Sequence, residues 1–350
     1  MVYRGSPPDV AFPIPWLPVG WTFPTGGNVH AVGKTYEGGV PLVEVVRSGF
    51  VEGVHRGSVV ALDATGAAVA RAGDVTSPIF PRSSNKPLQT VGMIRAGLRL
   101  TDPADLALVS ASHEGEDFHR ARVGGLLARS GLDESALHCP PDLPADEEAR
   151  AAVLRAGGGP TRIQMNCSGK HSGMLLTCQA AGWPVEGYWR SEHPLQERLR
   201  AVVEEFADEP VTAIGIDGCG APVLAVSLSG LAMAYLRLVQ AEPGSPGRAV
   251  ADSMRAHPEI IGGTRADDSR VMRAVPGLLA KIGVEGVIAA AVPGVGAVAL
   301  KIDDGAGRAR MPVLVSALRR LGVTAPALAE FAEVPLLGGG QPVGLVRSLW

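Results

Sequence analysis

The sequence changes from strand patterns to helix patterns at PRSSNKP, residues 81–87. Before this stretch, residues 42–46, 57–62 and 67–72 carry the apolar and β-branched runs of an antiparallel meander, with turn residues before the last of them. Helix spacing begins at about residue 83, since the proline within the stretch is tolerated only in the first turn of a helix. The stretch therefore predicts a strand region that ends where a helical region begins.

Helix patterns dominate the middle of the chain, and strand patterns return near its end. The predicted helices cover residues 105–111, 116–130, 147–156, 170–181, 195–207 and 311–321, and the predicted late strands cover residues 286–291 and 297–302. Strands from both ends with helices between them favour an α+β fold with one antiparallel sheet built from both termini. We expect residues 1–40 to form an N-terminal extension and residues 41–350 one domain, with the sheet in 41–80 and 284–350 and the helical part in 81–283.

Composition limits the class of protein. The 350 residues are 46% hydrophobic and 19% charged, which suits a sizeable core, and the formal net charge of −3 gives no reason to expect nucleic acid. No apolar stretch reaches the roughly 18 residues of a membrane span, and the first residues lack the pattern of a secretory signal. We expect a cytoplasmic protein whose four cysteines are free thiols or metal ligands.

Ser83 and Lys86 are spaced so that both side chains lie on one face of a helix. A lysine with a lowered pKa can take the hydroxyl proton of the serine and make the serine a nucleophile. The same residues also suit an ordinary helix start, in which the serine caps the helix and the lysine points to solvent. The pair alone leaves both interpretations open.

A second polar group follows at residues 110–119, where Ser112 and His113 stand at the end of an apolar run. These residues could present a second hydroxyl and a general acid or base to a site. Alternatively, the acidic residues after them form a capping box at the start of the next helix. Capping explains the acids but not the hydroxyl and the imidazole.

Two cysteine segments offer candidate ligands. The first brings Cys167, Lys170 and His171 into one short run, which suits an anion site at a helix start, a thiol nucleophile with a histidine partner, or part of a metal site. In the second, Cys219 lies between two glycines, close after Asp217. This cysteine suits either a metal ligand or a small buried thiol at a turn.

Two lysines compete for a place near such a site. Lys301 lies near the end of an apolar strand, where it is either an edge-strand charge or a cation that faces the site. Lys281 is the weaker candidate because it lies at a predicted helix end, where a positive charge suits the helix dipole.

Taken together, these segments resemble the L-asparaginase II family of the rhizobial type. The resemblance is carried, in the order of the family, by PLVEVVRSGFVE at 41–52, HRGS at 55–58, RSSNKP at 82–87, SH at 112–113, NCSGKHSGM at 166–174, DGCGAP at 217–222 and LKIDDG at 300–305. It implies a fold like those of serine β-lactamases and serine-dependent glutaminases. It also implies hydrolysis of L-asparagine to L-aspartate and ammonia.

The resemblance further implies roles for individual residues. Ser83 is the implied nucleophile with Lys86 as its base, while Ser112 and Lys301 form a second serine–lysine pair, with Lys281 as the alternative lysine. The implied substrate contacts are Ser84, His113, Asp217 and Gly218. The implied zinc ligands are Cys167, Lys170 and Cys219, with a water molecule as the fourth ligand. The resemblance also implies a homodimer.

Three alternative functions fit the same residues. A glutaminase on the same scaffold acts on a substrate that is longer by one methylene, which a pocket discriminates by only about 1–3 kcal/mol. A thiol hydrolase would use Cys167 with His171. A zinc-stabilised binding protein without turnover would require neither Ser83 nor Lys86.

Overall fold

The computed structural model describes residues 35–350 of this protein. The expected extension, residues 1–40, therefore lies outside the described residues except for residues 35–40. Within this remaining part, the Tyr36 hydroxyl donates a hydrogen bond to Oδ1 of Asp303 over 2.6 Å. The start of the described chain therefore lies beside the end of a late strand.

Strands occur at both ends of the described chain, and helices lie mainly between them. The strands are β1 Val40–Arg47, β2 Phe50–Asp63, β3 Ala68–Ala72, β4 Pro78–Ile79, β5 Ile214–Ile216, β6 Pro222–Leu224, β7 Val226–Ser227, β8 Leu279–Gly283, β9 Val287–Val292, β10 Gly296–Ile302, β11 Glu333–Gly338 and β12 Gln341–Ser348. The α-helices are α1 Lys86–Arg95, α2 Pro103–Val109, α3 Asp117–Arg129, α4 Glu147–Arg155, α5 Ser168–Ala181, α6 Pro194–Ala207, α7 Leu228–Gln240, α8 Pro246–Ala256, α9 Pro258–Ile261, α10 Asp267–Ala274 and α11 Arg310–Arg320. Short 3-10 helices cover Arg82–Asn85, Glu134–Ala136, Gly307–Ala309 and Pro326–Phe331.

One antiparallel sheet joins the two ends of the chain. Its strand order is β11-β12-β1-β2-β10-β9-β8, and β3 also pairs with β2. The long strand β2 pairs with β1 along its first part and with β3 along its second part, so β1 and β3 lie end to end on one side of it. The α+β fold with a sheet from both termini is thereby confirmed.

Helices α7 and α11 both pack against the central strands of this sheet. Ala297, Val298, Ala299 and Leu300 on β10 are all fully buried, although successive side chains of a strand point to opposite faces. The sheet is therefore covered on both faces at its centre, which requires apolar residues at consecutive positions rather than alternation. This burial explains the alanine-rich and valine-rich runs near the end of the sequence.

The predicted elements differ from the observed ones mainly at one place. The predicted helices are present with their ends shifted by a few residues, but the sheet resumes at Leu279 rather than near residue 284. Lys281 therefore lies on the edge strand β8, and the prediction that it ends a helix is wrong. The misassignment arose because this strand is short and apolar, a pattern that periodicity alone cannot separate from a buried helix segment.

Among the described residues, no helix combines the length and the apolar character that a membrane crossing requires.

Candidate active site

Ser83 lies in a single 3-10 turn, Arg82–Asn85, which leads directly into α1. Arg82 adopts a positive φ of 53°, a conformation that is uncommon for residues other than glycine. Within the described chain the Ser83 hydroxyl makes no hydrogen bond, and the residue is only partly buried. This serine is therefore presented toward the surface from a constrained turn, as a nucleophile must be.

Lys86 is almost completely buried at the start of α1. Its Nζ donates to the carbonyl oxygen of Ala111 over 2.5 Å and to Oγ of Ser112 over 2.8 Å. Ser112 lies in the loop after α2, where its N–H donates to the carbonyl oxygen of Ile261. The expectation that Lys86 points to solvent as part of an ordinary helix start is therefore wrong.

Lys281 on the edge strand β8 is a second buried amine at this site. Its Nζ donates to Oδ2 of Asp268 over 3.1 Å, and both side chains are fully buried. Burial lowers the pKa of Lys281, and the nearby positive charge of Lys86 lowers it further, while Asp268 opposes both effects. The two lysines thus lie close enough to share one electrostatic environment.

Strand β8 packs directly on the turn that carries the serine. Oγ of Ser84 donates to the carbonyl oxygen of Lys281 over 3.0 Å, and the Tyr235 hydroxyl donates to the carbonyl oxygen of Ser84 over 2.9 Å. A Cβ atom at Gly283 would lie only 2.4 Å from the carbonyl oxygen of Pro81, so this close approach requires glycine. The buried Ser84 side chain therefore holds the turn to β8.

Lys301 is not placed with these groups. Its Nζ donates to the carbonyl oxygens of Glu285 and Ile302, over 2.8 Å and 3.2 Å. The structure does not form the expected pair of Ser112 and Lys301, because Ser112 is paired with Lys86. The physical reason is strand order, since β9 separates β10 from the edge strand β8. The structure favours Lys281 as the second lysine of the site.

Cys167, Lys170 and Cys219 come together although two segments of the chain supply them. Cys167 precedes the first residue of α5, Lys170 lies in the first turn of that helix, and Cys219 lies on the turn between β5 and β6. Nζ of Lys170 donates to Sγ of Cys219 over 3.2 Å. All three residues are buried.

The charges of this group are strongly coupled. The S–H of Cys167 and the Lys170 ammonium hold the pKa of the Cys219 thiol far below its usual range, with a smaller contribution from His171. The pKa of Cys167 is raised well above its usual value because it shares a hydrogen bond with Cys219 and is buried. Two buried cysteine sulfurs and a lysine amine that contacts one of them are a donor set that fits zinc, once the amine has lost its proton.

Of the remaining predicted residues, one is buried below the site and two lie nearer the surface. His113 is fully buried, and its Nε2 lies 2.9 Å from Oγ of Ser168, so its ring is held below the surface of the site. Asp217 accepts a hydrogen bond of 2.8 Å from Nε of Arg82, and the N–H of the exposed residue Gly218 also donates to it. Their contacts with substrate stay predictions.

Arg82 is a site residue that the sequence did not single out. It lies beside Ser83 and forms an ion pair with Asp217. A narrow cavity next to the serine turn is lined by Arg82, Asn85, Lys86, Gln89, Lys170, Asp217, Pro222 and Val223. The position of Arg82 next to Ser83 in the sequence was the available signal. Asp268, the partner of Lys281, gave no signal because its neighbours in the sequence carry no recognisable motif.

An antiparallel sheet, a helical part beside it and the turn that carries Ser83 and Lys86 make up this fold. The chain belongs to the L-asparaginase II family, whose sequence profile matches residues 43–348. The recognition made from the motifs is thereby confirmed. A comparison with curated protein sequences finds no match.

The solved structures that match this chain are only distantly related to it in sequence. Mglu in its native form is 14% identical over 79% of this chain and 63% of its own, with a TM-score of 0.40, so this chain spans less than two thirds of that protein. A Bacillus glutaminase is 14% identical over 71% of this chain and 83% of its own, with a TM-score of 0.32. A β-lactamase from Mycobacterium bovis is 14% identical over 79% of this chain and 95% of its own, with a TM-score of 0.38.

Proposed function

We propose that this protein hydrolyses the side-chain amide of L-asparagine to L-aspartate and ammonia, through an ester on Ser83. The observation that carries this proposal is the placement of Lys86. This buried lysine follows Ser83 by one helical turn and contacts the hydroxyl of Ser112. An ordinary helix start requires no such contact, and a zinc-stabilised binding protein would have no use for it. Membership of the family supports an amidohydrolase in general.

In the first step, the Ser83 hydroxyl attacks the side-chain amide carbon of asparagine. The proton of Ser83 passes to a neutral lysine amine, which we assign to Lys86, the nearest amine in the sequence. Burial lowers the pKa of the neighbouring Lys281 and the charge of Lys86 lowers it further, while Asp268 opposes both effects. Ser112 then relays the proton from Lys86 to the leaving ammonia. In the second step water cleaves the β-aspartyl ester, which releases L-aspartate and restores the Ser83 hydroxyl.

The developing oxyanion requires hydrogen-bond donors close to Ser83. The N–H of Ser84 already donates to the carbonyl oxygen of Pro81 over 3.1 Å, so it is committed within the turn. We therefore assign the main donor to the N–H of Ser83 itself, at the start of the 3-10 turn. Such a donor typically accelerates the reaction by about 10²–10³-fold.

Arg82 and Asp217 suit the two charged groups on the α-carbon of asparagine. Arg82 carries a guanidinium that can bind the α-carboxylate, and Asp217 carries a carboxylate that can bind the α-ammonium. In the absence of substrate these two side chains neutralise each other at 2.7 Å. Substrate binding would exchange their mutual ion pair for two ion pairs with the ligand.

We further propose zinc as the resident metal, held by Cys167, Lys170 and Cys219. When bound, it would add positive charge next to the cavity and thereby help to orient or polarise the substrate. The homodimer and the cytoplasmic location that the sequence led us to expect are kept as proposals too.

Ammonia release from L-asparagine and L-glutamine, measured in parallel with and without a chelator, tests this function. We expect turnover of asparagine and an aspartyl adduct on the peptide that contains Ser83, trapped at low pH and located by mass spectrometry. Faster turnover of glutamine would instead assign a glutaminase. An adduct on Cys167 would assign a thiol hydrolase, and no turnover of either amide would assign a binding protein.

A further inference from the structure

Tyr188 is fully buried and lies behind the two sulfurs, although no motif in the sequence includes it. Its hydroxyl oxygen accepts a hydrogen bond from the N–H of His138 over 2.8 Å. The same hydroxyl lies 2.7 Å from Nδ1 of His171. Tyr188 therefore connects the loop that carries His138 to the helix that carries Lys170.

The hydrogen-bonding capacity of each group determines where the protons lie between His138, Tyr188 and His171. A backbone N–H can only donate, so the Tyr188 oxygen accepts from His138, and its own single proton needs an acceptor. Nδ1 of His171 is the acceptor within reach. If Nδ1 carried a proton instead, the phenol proton would be left buried and unpaired, which is costly. Nδ1 is thus the accepting nitrogen, and the imidazole proton belongs on Nε2.

The other nitrogen of His171 agrees with this assignment. Nε2 is buried and has no hydrogen-bond partner in the described chain. The imidazole interacts with the Cys219 sulfur, which also receives the Lys170 ammonium. A protonated Nε2 is thus an unused buried donor close to this sulfur.

The phenol is held rigidly in this position. The amide nitrogen of Gln196 donates to the carbonyl oxygen of Tyr188 over 2.7 Å. The Trp189 ring stacks on His138 at 3.6 Å and meets the Tyr188 ring edge-on at 5.3 Å. These contacts hold the Tyr188 ring so that its hydroxyl points toward His171.

We propose that Tyr188 is a positioning residue that fixes His171 as its Nε2–H tautomer, so that His171 presents a hydrogen-bond donor to the Cys219 sulfur. The tautomer itself needs no metal, whereas its consequence for metal binding rests on the proposed zinc site. Mutation of a residue that orients a metal ligand through hydrogen bonds typically changes metal affinity by about 10–100-fold.

The first test reads the tautomer directly in the metal-free, full-length protein. Nitrogen-15 NMR of the histidine side chains distinguishes a protonated from an unprotonated ring nitrogen, and His171→Gln assigns the signal. We expect the proton on Nε2 in the wild type and loss of this preference in Tyr188→Phe. A wild-type His171 with its proton on Nδ1 would overturn the proposal.

The second test measures zinc affinity by chelator competition. Tyr188→Phe should weaken zinc binding by about 10–100-fold, while Tyr36→Phe, which also removes a hydroxyl hydrogen-bonded within the protein, should leave it unchanged. In a His171→Ala background, Tyr188→Phe should have no further effect, because Tyr188 acts through the imidazole. Equal zinc affinity in wild type and Tyr188→Phe would overturn the proposal.

The two tests separate this proposal from the proposed zinc site. If the wild type binds no metal through its thiols, the zinc assignment is wrong, and the tautomer measurement alone decides the role of Tyr188. Thermal melts of Tyr188→Phe and Tyr36→Phe would show whether either variant is merely unstable, and the wild-type NMR measurement depends on neither.

Discussion

Nζ of Lys86 lies 2.8 Å from Oγ of Ser112, which follows the next helix of the chain, and it makes no hydrogen bond to Ser83 in its own turn. The lysine of the serine–lysine motif thus contacts the hydroxyl of a serine from a separate segment, while the Ser83 hydroxyl lies one helical turn before it. The Ser83 hydroxyl is exposed enough to attack a substrate, and the other is hydrogen-bonded to the lysine. This arrangement suits a base that receives a proton on one side and delivers it on the other.

Ser83→Ala should reduce asparaginase turnover by about 10⁴-fold or more, because removal of a nucleophile leaves only binding and electrostatic effects. Ammonia release under saturating asparagine measures this loss. Ser135→Ala, at an exposed serine outside the site, is the matched control and should keep full activity. Substantial turnover by Ser83→Ala would show that another group attacks the amide.

Lys281→Met should lower turnover by less than the roughly 10²–10⁴-fold expected for loss of the proton-accepting Lys86, because Lys281 acts only as a buried amine beside it, whereas Lys301→Met should change turnover little. Lys281→Met also leaves Asp268 buried without its cation, which costs about 3–5 kcal/mol of unfolding free energy. The double variant Lys281→Met/Asp268→Asn should recover stability but not activity. Steady-state kinetics and chemical denaturation of the four proteins separate the two effects. A severe loss in Lys301→Met alone would restore the lysine first favoured from the sequence.

Cys219→Ala should abolish metal binding, since it removes one sulfur of the proposed set and the partner of the Lys170 amine. We expect metal content to fall from about one zinc per chain to near zero. Cys178→Ala is the matched control because Cys178 is also a buried free thiol but lies farther along α5. Elemental analysis of the purified proteins measures the zinc content per chain. Equal zinc content in Cys219→Ala and Cys178→Ala would refute the assignment of Cys219 as a zinc ligand.

Glu114 should make stability depend on pH. Burial, together with the nearby carboxylates of Asp146, Asp268 and Glu116, raises its pKa from 4.5 to about 7. Between these values the folded protein holds more protons than the unfolded chain, so this contribution to stability is present below the unfolded pKa and is lost as pH rises through the folded one. The melting temperature should therefore fall between about pH 5 and pH 8, and less steeply in Glu114→Gln.

Glu192→Gln is the control for this effect, because Glu192 is an exposed glutamate. Its melting temperature should follow that of the wild type across the same pH range. A Glu114→Gln profile that also follows the wild type would mean that other groups cause the pH dependence.

The sequence by itself determined the fold class and most of the candidate site. Strand patterns at both ends predicted one sheet from both termini, because apolar periodicity is local and each strand carries its own. The motifs identified Ser83, Lys86, Cys167, Lys170 and Cys219, since residues of unusual chemistry at short spacing are visible before folding. These residues also led to the family that residues 43–348 match.

Tertiary structure alone decided which distant groups meet. It brought Lys281 rather than Lys301 beside the serine turn, because the strand order places β8 at the edge of the sheet next to that turn. It also paired Lys281 with Asp268, and placed Tyr188 behind His171, through contacts between segments that share no pattern. Sequence spacing reports what lies on one helix or strand, whereas these contacts depend on how separate elements pack, which no local pattern encodes.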